Sequence, residues 1–277
     1  MASTVTSIEW CDVTWNPVRG CTRVSPGCFN CYAEKTANRF GGPGKPYEGL
    51  VKKVNGHPQW TGNITVSDKA LKEPLTWKGS KKVFVNSMSD LFHPNVPADF
   101  IEEIWKVIKA TPHHTYQILT KRPERIKNNL PLDWGSGYPN VWLGVSVENQ
   151  EYADKRIPLL LQIPAKVRFL SCEPLLGWVN IRNEWFGRYT PPGPFSFGGR
   201  YDEMYLHWVI AGGESGSKDK ARPAQLLWFR TLREECQSAG VPFFFKQMGG
   251  SSKINGHWGG NLLDGKEYTE MPEVAPC

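Results

Sequence analysis

Six or seven times along the chain, a short run rich in β-branched and aromatic residues ends in a polar cluster and leads into a helical stretch. That alternation is the strongest constraint on the fold, because strands separated by helices build parallel βα units. The runs fall at residues 12–15, 83–86, 116–119, 141–147, 167–170, 208–211 and 243–245. Helical patterns follow at 33–40, 97–110, 150–161 and 223–239; in the second, Phe100, Ile104, Val107 and Ile108 recur at helical spacing. Gly240 supplies the stop of the last. The class implied is α/β, a full or partial TIM-type (β/α) barrel with parallel strands, and 277 residues suit one such domain.

Three stretches interrupt the rhythm. Residues 50–66 read as a β-hairpin excursion turning at Asn55-Gly56. Residues 182–206 are rich in Gly, Pro and aromatics and carry no period, which reads as an inserted surface loop or lid. Residues 249–277 are Gly-rich and read as a tail wrapping the barrel.

In such barrels chemistry collects at the C-terminal ends of the strands. Here each end carries polar groups. The second is followed by Ser87-Met88-Ser89-Asp90, the third by Thr120-Lys121-Arg122 and the fourth ends in Ser146-Val147-Glu148. The fifth ends in Ser171-Cys172-Glu173, the sixth in Gly212-Gly213-Glu214-Ser215 and the seventh in Lys246-Gln247. Glu148, Glu173 and Glu214 share one offset from their strands. Together they would suit a cationic ligand; without a cation they would repel. A hydrolytic site with a divalent metal is a third-ranked use of that ring. Paired glycines at 212 and 213 let a ligand approach the backbone.

The loop after the first strand holds Cys21, Cys28 and Cys31. Three thiolates can hold a metal centre and leave one coordination position open, whereas a structural cage uses four protein ligands. Cys11 and His57 are the nearest candidates for a fourth zinc ligand. Seven cysteines, an odd number, argue against a paired disulfide framework. The N-terminus has no signal-peptide pattern and no apolar run reaches membrane-spanning length, so the expectation is a soluble cytoplasmic protein. A net charge of +6 permits an anionic partner.

Three cysteines after the first strand of a (β/α) barrel resemble radical S-adenosylmethionine (SAM) enzymes. The chain as a whole resembles an uncharacterised, phage-associated family with a three-cysteine motif, related to those enzymes. The matching runs are Ile8-Glu9-Trp10-Cys11-Asp12-Val13-Thr14-Trp15-Asn16-Pro17, Cys28-Phe29-Asn30-Cys31-Tyr32-Ala33-Glu34 and Leu119-Thr120-Lys121-Arg122-Pro123. They continue with Trp142-Leu143-Gly144-Val145-Ser146-Val147-Glu148-Asn149, Leu170-Ser171-Cys172-Glu173-Pro174-Leu175 and Ala211-Gly212-Gly213-Glu214-Ser215-Gly216.

The resemblance implies a phage- or prophage-encoded protein in a bacterial host. It implies a [4Fe-4S] cluster on Cys21, Cys28 and Cys31, with SAM on the remaining iron and an external electron donor. Reductive cleavage of SAM would give a 5′-deoxyadenosyl radical that abstracts hydrogen from a substrate. By strand-end position, Ser89 or Asp90 would take the SAM amino group, and Lys121 or Arg122 its carboxylate. Ser146 and Glu148 would bind the ribose, and Gly212, Gly213, Glu214 and Ser215 would lie near adenine or substrate. Ser87 and Glu173 complete the cofactor-binding set. The first cysteine gap is three residues longer than the commonest spacing, and Gly-Gly-Glu stands after the sixth strand rather than the second. Lys121, Arg122 and Arg125, with the aromatic-rich insertion, point to a nucleic acid or nucleotide substrate. The alternative is a zinc-stabilised nucleic-acid-binding or interaction protein without catalysis.

Overall fold

A computed structural model describes Thr6 and residues 8–187, 204–216 and 220–273. Seven strands make one sheet: β1 (Val13–Trp15), β2 (Lys82–Val85), β3 (Thr115–Thr120), β4 (Val141–Ser146), β5 (Val167–Cys172), β6 (Trp208–Gly212) and β7 (Phe243–Gln247). Their order in the sheet is their order in the chain. The β1–β2, β2–β3, β5–β6 and β6–β7 pairs are parallel. Parallel strands added in chain order through helical crossovers make a partial TIM-type (β/α) barrel. Every residue of β4, β5 and β6 is buried. Strands covered on both faces read as continuous apolar runs rather than alternating ones, which is how they stand in the sequence.

The chain divides into two compact units at Trp142–Leu143. In the first, helix α1 (Tyr32–Arg39) follows the cysteine loop, and α2 (Ala98–Ala110) buries Phe100, Ile101, Ile104, Trp105, Val107 and Ile108. Each such side chain contributes about 1.5–3 kcal/mol when fully buried. Behind β1, the Trp15 indole donates to the Ala70 carbonyl at 2.7 Å. The expected hairpin pairs Val51–Val54 with His57–Trp60, antiparallel, with Asn55 and Gly56 both at positive φ. Two successive positive φ values are the signature of a type I′ turn. Leu50, Val51 and Trp60 pack with Ala33 and Ala37 of α1, Met88, Tyr47, Cys21 and Cys31. The excursion is therefore the apolar support of the cysteine loop. A second pairing, Val18–Arg19 with Thr65–Val66, closes its base. In place of a full helix after β3 there are two 3-10 turns, Pro123–Arg125 and Lys127–Asn129.

In the second unit, α3 (Gln150–Leu161) starts where Asn149 accepts the Tyr152 N–H at 3.2 Å. Helix α4 (Leu226–Ala239) ends at Gly240 in the left-handed region. Of the expected insertion at 182–206, residues 188–203 lie outside the described residues; Asn183–Phe186 form one 3-10 turn. The tail makes a small hairpin, Lys253–Ile254 with His257–Trp258. It then runs beside β7, where Phe245 N–H donates to the Tyr268 carbonyl at 2.8 Å, covering a sheet edge. No helix among the described residues is long and apolar enough to cross a membrane.

Candidate metal centre and strand-end clusters

The cysteine loop is built tightly. Gly20 has φ +95°, and a Cβ there would lie 2.2 Å from the Asn63 carbonyl oxygen, so only glycine fits. A 3-10 turn, Pro26–Cys28, and Cys31 at the N-cap of α1 set the positions of the second and third thiols. Arg23 clamps the loop to α1, its Nε and Nη2 donating to the buried Glu34 carboxylate at 2.9 and 2.6 Å. Glu34 Oε1 also accepts the Trp60 N–H at 3.0 Å, tying in the hairpin.

All three thiols are free and partly buried. Burial pushes the Cys21 thiol up to about 12, and the Asp90 carboxylate adds to the rise. Arg122 opposes it, while Cys31 and Cys28 raise it further. Burial likewise raises Cys31, opposed by the Ala33 and Glu34 backbone N–H groups. The sulfurs thus lie within one another's field. Three thiolates so placed need a cation, and a metal that binds them displaces their protons. Cys11 donates its thiol to the Ile8 carbonyl at 3.6 Å, and His57 is exposed on the hairpin. Among the described residues, no three His, Cys, Asp or Glu side chains form a group that could hold a single metal ion.

Beside the loop, Asp90 and Arg122 form a buried ion pair at 2.8 Å. Asp90 also accepts from the Thr120 hydroxyl at 2.7 Å, Phe92 N–H at 3.0 Å and Lys121 N–H at 3.2 Å. Arg122 Nη2 donates to the Thr22 carbonyl and hydroxyl at 3.1 and 2.8 Å, and Nη1 lies 3.9 Å from Cys21 Sγ. The sequence suggested Asp90 and Arg122 as separate contacts for an amino group and a carboxylate. The structure bonds them to each other. Ser89 donates to the Val18 carbonyl at 2.8 Å, and Ser87 to Asn16 Oδ1 at 3.1 Å. His93, which sequence reasoning missed, completes the network. Its Nδ1 accepts the Asn95 N–H at 3.1 Å, so its Nε2 carries the proton and donates to the Thr22 hydroxyl at 3.0 Å. Burial, then Arg122, lowers its pKa to about 4 and keeps the ring neutral. Thr22, Arg23 and Glu34 were also missed as a set; the only signal was their nearness to the cysteines.

In the second unit each strand-end carboxylate has its own cation. Glu148, fully buried, pairs with Arg156 of α3 at 2.9 Å, and the same Arg156 Nη1 donates to the Ser146 carbonyl at 2.7 Å. Glu173 pairs with Lys246 at 3.0 Å. Glu214 accepts the Arg222 N–H and Nε, both at 2.9 Å. The repulsion expected of three carboxylates is removed pair by pair, with no shared cation required. The glycines have a packing reason: a Cβ on Gly213 would lie 1.9 Å from the Met248 carbonyl oxygen, and one on Gly212 would lie 2.7 Å from Glu173 Oε1. Ser215 forms a bridge with Gly250. Cys172 and Cys236 are fully buried, and burial raises both thiols well above their ordinary range.

A family model described as "Protein of unknown function (DUF5131)" matches residues 5–272. The chain belongs to the DUF5131 family. No curated protein matches this DUF5131 member. Among solved structures it is similar to spore photoproduct lyase complexed with dinucleoside spore photoproduct, at 14% identity and TM-score 0.43, covering 84% of this chain. It is similar also to a tyrosine-to-phenylalanine mutant of that lyase, at 13% identity and TM-score 0.44, covering 85%. A cysteine-to-alanine mutant of the lyase with dinucleoside spore photoproduct gives 12% identity, TM-score 0.44 and 85% coverage. The chain spans 64% of the length of these lyase chains.

Proposed function

We propose that this DUF5131 member is a radical SAM-like iron–sulfur enzyme acting on a nucleic acid or nucleotide. The observation that carries the reading is the donor set after β1: three free thiols on one tight loop, with cationic and N–H donors aimed at their sulfurs. Cys21, Cys28 and Cys31 would hold a [4Fe-4S] cluster, and SAM would take the iron that no cysteine ligates. A bound cluster, reduced by an external one-electron donor, would supply the electron that cleaves the C5′–S bond of SAM to methionine and a 5′-deoxyadenosyl radical. Arg122 stabilises the Cys21 thiolate, held in place by Asp90 and Thr22. The Ala33 and Glu34 N–H groups stabilise that of Cys31. The hairpin cluster shields one side of the loop from water. Ser87, Ser89 and Lys121, which follow strands of the same unit as the cysteine loop, are candidates for contacts to SAM.

Zinc and a cluster ask different things of the same thiols. Zinc draws its sulfurs to about 2.3 Å from one atom, whereas a four-iron cluster gives each thiolate its own iron. Metal analysis after anaerobic reconstitution separates them. The reading expects iron and sulfide in about equal amounts, about four of each per chain, falling sharply in Cys21→Ser, Cys28→Ser and Cys31→Ser. Stoichiometric zinc that persists through iron supplementation would overturn it.

A further inference from the structure

Two of the three cations that the sequence pointed to are engaged within the fold: Arg122 by Asp90, and Arg125 through Nε by the Phe92 carbonyl at 2.8 Å. The excess charge lies elsewhere. Residues 19–60 contain seven Lys or Arg against two Glu, a net +5, while the whole chain nets +6. These residues are the cysteine loop, α1 and the hairpin, gathered on one apolar cluster, so the charge is concentrated on one small body. Of the seven cations only Arg23 is in an ion pair among the described residues, with Glu34. Arg39, Lys52 and Lys53 are exposed.

Aromatic faces stand among these charges. Phe29 is 62% exposed and Phe40 45%. The Arg23 guanidinium lies 5.7 Å from the Phe29 centroid and that of Arg39 lies 5.4 Å from the Phe40 centroid. Arg19 repeats the arrangement over Tyr47 at 5.8 Å. A flat apolar face held beside a cation is what a stacked base with its phosphate requires. An acidic protein surface would be met by the charges alone and would leave the phenyl faces unused.

We propose that this basic body binds single-stranded nucleic acid, with bases stacked on Phe29 and Phe40 and phosphates held by the exposed cations around it, Arg39, Lys52 and Lys53. The proposal deepens the nucleic-acid part of the reading above and does not depend on the cluster. The test is fluorescence anisotropy of the full chain with fluorescein-labelled 20-mers of oligothymidylate and oligouridylate across a salt series. Binding to either supports the proposal, and their ratio separates DNA from RNA. Each neutralised phosphate contributes a slope of about −0.7 in log K against log salt. The double variant Lys52→Glu, Lys53→Glu is expected to weaken binding and flatten that slope by about 1.4, about 0.7 for each lysine. Phe40→Ala is expected to weaken binding about tenfold with the slope unchanged. Phe40→Leu, which keeps bulk but removes the aromatic face, should do the same with an unaltered melting curve. No oligonucleotide binding while SAM cleavage is intact overturns this proposal alone, and binding retained in a Cys31→Ser chain that cannot cleave SAM upholds it. Equal binding of polyglutamate, with both Phe40 variants silent, overturns it in favour of an acidic protein partner.

Discussion

Asp90→Asn is the most informative single change in the first unit. The Asp90 and Arg122 side chains are 7% and 5% exposed. The carboxylate accepts from Arg122, Thr120, Phe92 and Lys121. The amide leaves one acceptor oxygen, and its NH2 would face donors. It also strands a buried guanidinium whose remaining contacts, to Thr22 and Cys21, supply no full negative charge while the thiol is protonated. Breaking a buried pair by neutralising one partner costs about 3–5 kcal/mol. With a urea slope of about 3 kcal/mol/M, the transition of this unit should move down by about 1 M or more. Urea unfolding followed by tryptophan fluorescence reads the shift. The double variant Asp90→Leu, Arg122→Met removes both charges and should recover most of the loss, while losing the group that stabilises the Cys21 thiolate. If Asp90→Asn costs under about 1 kcal/mol, or the double variant is as unstable as the sum of the singles, the pair is not the buried hub described.

Gly213→Ala would place a methyl 1.9 Å from the Met248 carbonyl oxygen. Backbone must move to admit it, so a loss of about 3 kcal/mol is expected in chemical denaturation; a change within about 0.5 kcal/mol would contradict the packing. His207 accepts the Arg168 N–H on Nδ1 at 3.1 Å and stacks on Tyr205. Burial, then Arg168, lowers its pKa to about 4. Because the folded value is below the unfolded one, the unfolded chain takes up the proton first as pH falls. Stability from this group is therefore complete above about 6.5 and declines down to about 4. His207→Gln should make the stability profile flatter between those limits; an imidazole titrating near 6.5 by NMR would refute the assignment.

The strands were legible because buried parallel strands need long apolar runs, and α3 because Asn149 caps it and apolar spacing carries it to Leu161. The turns after β3 were not: Pro123 starts a 3-10 turn, a choice made by packing. The Val18–Arg19 pairing with Thr65–Val66 is too short to carry a period. At the site, the thiols announced themselves by type and spacing. Their neighbours did not, because Asp90 and Arg122 are 32 residues apart and Thr22 meets His93 across 71. Nothing local tells a carboxylate bound for a ligand from one bound for an arginine. That difference also recast Glu148, Glu173 and Glu214, whose cations come from α3, β7 and the segment before α4.

On the reading proposed above, the three cysteines after β1 hold a cluster with one iron left for SAM. The most direct measurement is incubation of the anaerobically reconstituted, dithionite-reduced chain with SAM, with separation of the products. The expected products are 5′-deoxyadenosine and methionine, absent in Cys28→Ser. A reduced, four-iron protein that binds SAM and yields neither product would contradict the reading.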